Sequence, residues 1–222
     1  MTATMLRSDE LETMRIAMVA SQLRPSGVTD PRVITAMAET PRERFMPAGM
    51  EALAYRDSTI DLGQGRRANT PLATARLLVE ARLRATDRVL LIGAAMGYTA
   101  AILAQIVAEV VAVESTPALA AAARTNLAAF ANVLVVEGVL EKGHAEGSPY
   151  DVLVIDGAVE QVPLALAEQL RPEGRIVTGL FDHGVTRLAA GRRTAAGAGV
   201  LPFADAECAV LPGFSTPQGF VF

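Results

Sequence analysis

The chain has 222 residues, 51% hydrophobic and 20% charged, which is enough apolar material for one sizeable core and argues against disorder. A net charge of -4, with no basic run beyond pairs such as Arg66-Arg67 and Arg192-Arg193, argues against a nucleic-acid partner. Cys208 is the single cysteine and His144 and His183 are the only histidines. An internal disulfide and a Cys/His zinc site are therefore excluded, and a reducing, cytoplasmic setting is expected.

Near the N-terminus Arg7, Asp9, Glu10, Glu12 and Arg15 leave no apolar stretch, so no secretory signal is expected. The longest apolar run, residues 100–113, is interrupted by Gln105 and Glu109 and is too short to cross a bilayer, so no membrane partner is expected. Helices are expected over residues 9–24 and 31–39, followed by a Gly-rich, polar loop over 47–70. A loop of that length in a compact domain usually carries function.

From residue 87 the pattern alternates: RVLLIG, then the Ala/Leu-rich 98–108, EVVAVE, the Ala-rich 117–130, NVLVVEG and YDVLVID. A helix over 163–170 and a strand over 174–181 continue it. The strands are apolar at consecutive positions, as parallel strands covered on both faces must be. The expected fold class is α/β, a doubly wound, mostly parallel, Rossmann-like sheet of which five strands are readable. The last forty residues, rich in Gly, Ala and Pro, read as a C-terminal antiparallel hairpin. Residues 1–86 then form an N-terminal helical segment with the active-site loop, packed on the core formed by 87–222.

Gly93-Ala94-Ala95-Met96-Gly97 joins the first of these strands to a helix, where backbone N–H groups meet ligands at the carboxyl edge of a sheet. A dinucleotide fingerprint would put glycines at 93, 95 and 98, but Ala95 and Tyr98 stand there, so NAD is disfavoured. Glycines at 93 and 97 match the ends of a G-x-G-x-G loop of methyltransferase spacing; plain backbone geometry would also explain them. Glu114 ends the next strand, where a carboxylate can accept hydrogen bonds from both ribose hydroxyls of an adenosine, the bland alternative being a solvated charge. Asp156 ends the fourth strand and reads as a helix N-terminal charge in preference to a metal or substrate ligand.

More specific is an ordered set of fragments: Gln22-Leu23-Arg24, Gly27-Val28, Asp30, Arg32-Val33, Pro41-Arg42-Glu43, Phe45, Pro47, Ala54-Tyr55, Asp57 and Leu62-Gly63-Gln64-Gly65. It continues through Arg88-Val89-Leu90, Ile92-Gly93, Gly97-Tyr98, Tyr150-Asp151 and Gln169-Leu170, then Pro172 and Gly174-Arg175. Over about residues 15–180 the chain resembles the protein-L-isoaspartate O-methyltransferase family, whose fold is that of the class I S-adenosylmethionine-dependent methyltransferases. The resemblance implies methyl transfer from S-adenosylmethionine to an isoaspartyl carboxylate of a protein or peptide substrate, as protein repair. It places Asn69 at the family's catalytic serine position and implies cofactor contacts from Gly93, Ala94, Ala95, Gly97, Tyr98, Glu114, Ser115, Val139 and Leu140. Leu91 stands where the family has an acid, Ala95 at its middle glycine, and Gly138-Val139-Leu140 at its Gly-Asp-Gly. Each hydrogen bond so lost weakens binding by about 0.5–1.5 kcal/mol. The alternative is a non-catalytic relative that keeps the fold as a binding or scaffold module. A metal-dependent O-methyltransferase using Asp156 has no second ligand, and the particular substrate and the oligomeric state stay open.

Overall fold

In the computed structural model, which describes residues 7–215, helix α1 (Ser8–Met18) continues without a break as a wider π turn over Val19–Leu23. Helix α2 (Pro31–Glu39) starts where Asp30 accepts the Arg32 N–H and Pro31 occupies the first helical position, so two helix-start signals coincide. The expected loop over 47–70 is partly ordered: β1 (Ile60–Gly63) and β2 (Arg66–Ala68) form an antiparallel ribbon, turning at Gln64 and Gly65 with φ of 54° and 73°. A helix absent from the sequence reading follows, α3 (Pro71–Glu80), capped by Thr70 Oγ1 accepting the Ala73 N–H at 3.0 Å.

The main sheet has seven strands: β3 (Arg88–Ile92), β4 (Glu109–Glu114), β5 (Val133–Glu137), β6 (Tyr150–Val159), β7 (Leu170–Asp182), β8 (Val185–Thr194) and β9 (Gly197–Asp205). Their order is β5-β4-β3-β6-β7-β8-β9. Pairings from β5 through β7 are parallel, while β7–β8 and β8–β9 are antiparallel, so the hairpin extends the sheet as expected. Helices α4 (Tyr98–Ala104), α5 (Pro117–Asn126) and α6 (Leu164–Ala167) make the crossovers. The last is one turn instead of the expected 163–170: the Gln169 amide donates to the Lys142 and Ala165 carbonyls, and β7 begins at Leu170.

Consecutive apolar residues put alternate side chains on opposite faces of the sheet. Val89, Leu91, Val110 and Val154 join a cluster with Leu23, Val33, Met37 and Leu77 of the N-terminal segment. Leu90, Ile92, Val113 and Ile155 join a second cluster with Leu140, Leu166, Leu211 and Phe214. The first cluster ties residues before and after 86 into shared packing. Strand order reverses about β3, so the crevice outside the carboxyl ends of β3 and β6 is where a doubly wound sheet takes a ligand. Among the described residues no helix is long and apolar enough to cross a membrane.

Candidate active site

The loop leaving β3 is shaped by left-handed residues: φ is 82° at Gly93, 49° at Ala95 and 101° at Gly97. A methyl group at Gly97 would sit 2.8 Å from a Leu127 methyl, so this glycine lets α4 start against α5. Ala95 holds its unfavourable backbone because its N–H donates to Glu114 Oε2 at 2.7 Å.

Glu114 is wholly buried at the end of β4, and its carboxylate is fully engaged. Arg66, delivered by the ribbon and itself 1% exposed, grips it with Nε to Oε1 at 3.1 Å and Nη2 to Oε2 at 2.9 Å. The backbone N–H groups of Ser115 and Thr116 donate to Oε1 at 2.9 and 3.1 Å. Burial pushes the Glu114 carboxyl up, but the Arg66 hydrogen bonds and charge, with the N–H donors of Thr116 and Ala95, outweigh it and leave the pKa below the ordinary value.

The floor of the same crevice is covered by Leu211. A methyl group at Gly93 would lie 3.2 Å from both Leu211 methyls and 3.3 Å from Arg66 Nη2; one at Gly157 would lie 2.7 Å from Leu211 Cγ. Leu211 is held by a parallel bridge from the C-terminal segment to β6: Ala158 N–H donates to the Ala209 carbonyl at 2.7 Å, and Leu211 N–H to the Ala158 carbonyl at 2.9 Å.

On the other side of the loop lies a polar cluster. Asp156 accepts from Asn69 Nδ2 at 3.1 Å, Thr74 Oγ1 at 3.0 Å and Thr99 Oγ1 at 2.5 Å. The reading of Asp156 as a helix N-terminal charge is corrected: it lies within β6, well before α6, and acts as a hub that joins α3, α4 and Asn69. Asn69 Oδ1 accepts the Ala209 N–H at 3.2 Å, and its carbonyl accepts Arg42 Nη2 at 2.6 Å. The Arg42 guanidinium stacks 4.6 Å from the centre of the Tyr98 ring. Burial lowers the Arg42 pKa, and burial raises that of Tyr98 to about 12 against the opposing pull of Arg42. Arg42 Nε and the Tyr98 hydroxyl are buried without a partner beside a cavity of about 20 Å³. That volume holds one water.

Gly93, Ala94, Ala95, Gly97, Glu114 and Ser115 therefore do gather at the switch point. Tyr98 turns toward Arg42 and Phe45 instead, its ring centre 5.7 Å from that of Phe45. Gly138 N–H donates to the Glu114 carbonyl at 3.0 Å, bringing the end of β5 alongside; there Val139 is 49% exposed and Leu140 buried in the core. Leu91 is packed into the core cluster. The sequence reading gave no site role to Arg66, Leu211 or Arg42, the last of which entered only as part of the Pro41-Arg42-Glu43 fragment. Arg66 was noted only as half of a basic pair, although its place two residues after the Gly63–Gln64 turn start was a signal. Among the described residues no group of His, Cys, Asp or Glu could hold a metal ion.

A doubly wound sheet with a glycine-bounded loop after its central strand and a buried acid ending the next one is the layout of the α/β folds that take nucleoside cofactors at the carboxyl edge of the sheet. The chain belongs to the protein-L-isoaspartate(D-aspartate) O-methyltransferase family, whose model matches residues 14–197. It is 40% identical over 183 residues to protein-L-isoaspartate O-methyltransferase 1 of Rhodopseudomonas palustris, covering 81% of this chain and 75% of that one. With the Methanoregula boonei enzyme it shares 41% over 179 residues, 80% and 81% of the two chains. A solved protein-L-isoaspartate O-methyltransferase superposes with a TM-score of 0.77 at 24% identity, over 91% of this chain and 66% of that one. The Plasmodium falciparum beta-aspartate methyltransferase, solved with S-adenosyl-L-homocysteine, gives 0.72 at 15% identity, over 89% and 97%. These two establish the fold.

Against the cofactor that the family implies, the crevice as arranged does not fit. Its acid has no lone pair left for a ribose diol, and Leu211 lies over Gly93, in the loop that would admit a nucleoside.

Proposed function

We propose that this chain is a carboxyl O-methyltransferase of the isoaspartyl repair type, with S-adenosylmethionine as donor and protein or peptide carboxylates as acceptors. The family match over residues 14–197 carries the reading. The site supports it: an acceptor carboxylate is ionised at neutral pH and needs no base, so the protein's task is to position it. Asn69, fixed between Asp156 and Ala209 at the family serine position, keeps an amide hydrogen that Asp156 does not take. The same reading puts the work in the cytoplasm, which suits a lone buried thiol. Incubation with radiolabelled S-adenosylmethionine and an isoaspartyl peptide is expected to yield a base-labile methyl ester, and its absence from both the wild type and Leu211→Ala, which trims the side chain over Gly93, would refute the reading.

A further inference from the structure

We infer that Arg66 and the C-terminal segment through Leu211 form an internal lock that occupies the nucleoside crevice and must be displaced before a cofactor enters. The inference rests on the methyltransferase reading only for the identity of the ligand.

The lock has two parts that converge from distant sequence. The Arg66 guanidinium meets Glu114 through two parallel hydrogen bonds, the pattern a ribose diol would otherwise present to that carboxylate. Its Nη1, buried and without a partner, shows that the fit is to Glu114 and not to the cavity as a whole. Leu211 supplies the apolar part, lying over Gly93 and Gly157. The segment that carries Leu211 also reaches the reacting side, because Ala209 N–H donates to Asn69 Oδ1. One stretch of chain thus covers both the cofactor crevice and the residue at the family serine position.

Closure depends on Gly157. A methyl group there would stand 2.6 Å from the Ala209 carbonyl oxygen and 2.7 Å from Leu211 Cγ, so a side chain at this position wedges the segment off β6. The segment is held by two backbone hydrogen bonds to Ala158, the bond to Asn69, Cys208 N–H donating to Thr186 Oγ1 at 3.1 Å, Thr186 Oγ1 donating to the Ala206 carbonyl at 2.6 Å, the Thr59 hydroxyl donating to Glu207 Oε1 at 2.7 Å, and the burial of Leu211 and Phe214. Cys208, 5% exposed beside Ala209, reports on its release.

The test compares the full-length wild type with Leu211→Ala, Gly157→Ala and Arg66→Gln. S-adenosyl-L-homocysteine binding is read by calorimetry, and Cys208 labelling by a thiol reagent. Because apparent affinity falls in proportion to the open fraction, Leu211→Ala and Gly157→Ala are expected to bind the probe about tenfold or more tightly than wild type, with Cys208 labelled faster. Arg66→Gln is expected to tighten binding as well; should it fail to fold, the other two variants still decide. Folded Leu211→Ala and Gly157→Ala proteins that bind no more tightly than wild type would overturn the lock. Tighter binding without methyl transfer to an isoaspartyl peptide would keep the lock and remove the methyltransferase reading. Methyl transfer by wild type, with no gain in the variants, would do the reverse.

Discussion

Removing Arg66 would strand a carboxylate that has no water to turn to. Losing one member of a buried pair costs about 3–5 kcal/mol, because the charge left behind is uncompensated. Arg66→Ala is therefore expected to lower the unfolding free energy by about that amount in a urea melt at neutral pH. The pH dependence has a definite sign. The folded pKa of Glu114 lies below the ordinary value of 4.5, so its stabilisation is fully present above that value and is lost as pH falls through the lower folded pKa. The gap between wild type and Arg66→Ala should accordingly narrow below about pH 4.5, and a gap that widens in acid would contradict the pairing. At this scale the sequence revealed Glu114 but not what faces it. An acid at a strand end after a glycine loop is a local pattern, whereas Arg66 arrives from 48 residues away on a ribbon whose register no periodicity encodes.

Among the elements, the central strands were legible because long runs of Val, Ile and Leu admit little else between helices. The ribbon was not, since Ile60–Gly63 and Arg66–Ala68 are too short to alternate and are ordered by tertiary contacts. Helix α3 could have been read from Thr70-Pro71, a cap followed by a first-turn proline, but it was hidden by its neighbouring loop. Asp156 was misread because its strand runs to Val159, beyond the point where the apolar run stops. The turn after β3 offers a direct check at this scale. Ala95 sits at φ 49°, a conformation that costs a residue with a Cβ about 1–2 kcal/mol. Part of that relief is offset by the greater freedom of glycine in the unfolded chain. Ala95→Gly should therefore raise stability by about 0.5–1 kcal/mol in thermal melts, and a loss of stability would show that the methyl packs favourably enough to outweigh the strain.

For the molecule as a whole, the order β5-β4-β3-β6-β7-β8-β9 and the family match place a methyltransferase architecture around a crevice that the chain fills with its own side chains. The architecture was readable because it depends on patterns within single elements. The filling was not, because it depends on where a C-terminal segment with no regular period comes to rest, and Leu211 has no local signature. Whether cofactor and segment exclude each other can be measured amide by amide. In hydrogen–deuterium exchange, the Ala158 and Leu211 amides, which bond across the bridge, should exchange slowly in the free protein and faster as S-adenosyl-L-homocysteine saturates it. Full occupancy by the nucleoside with both amides still protected would contradict the account.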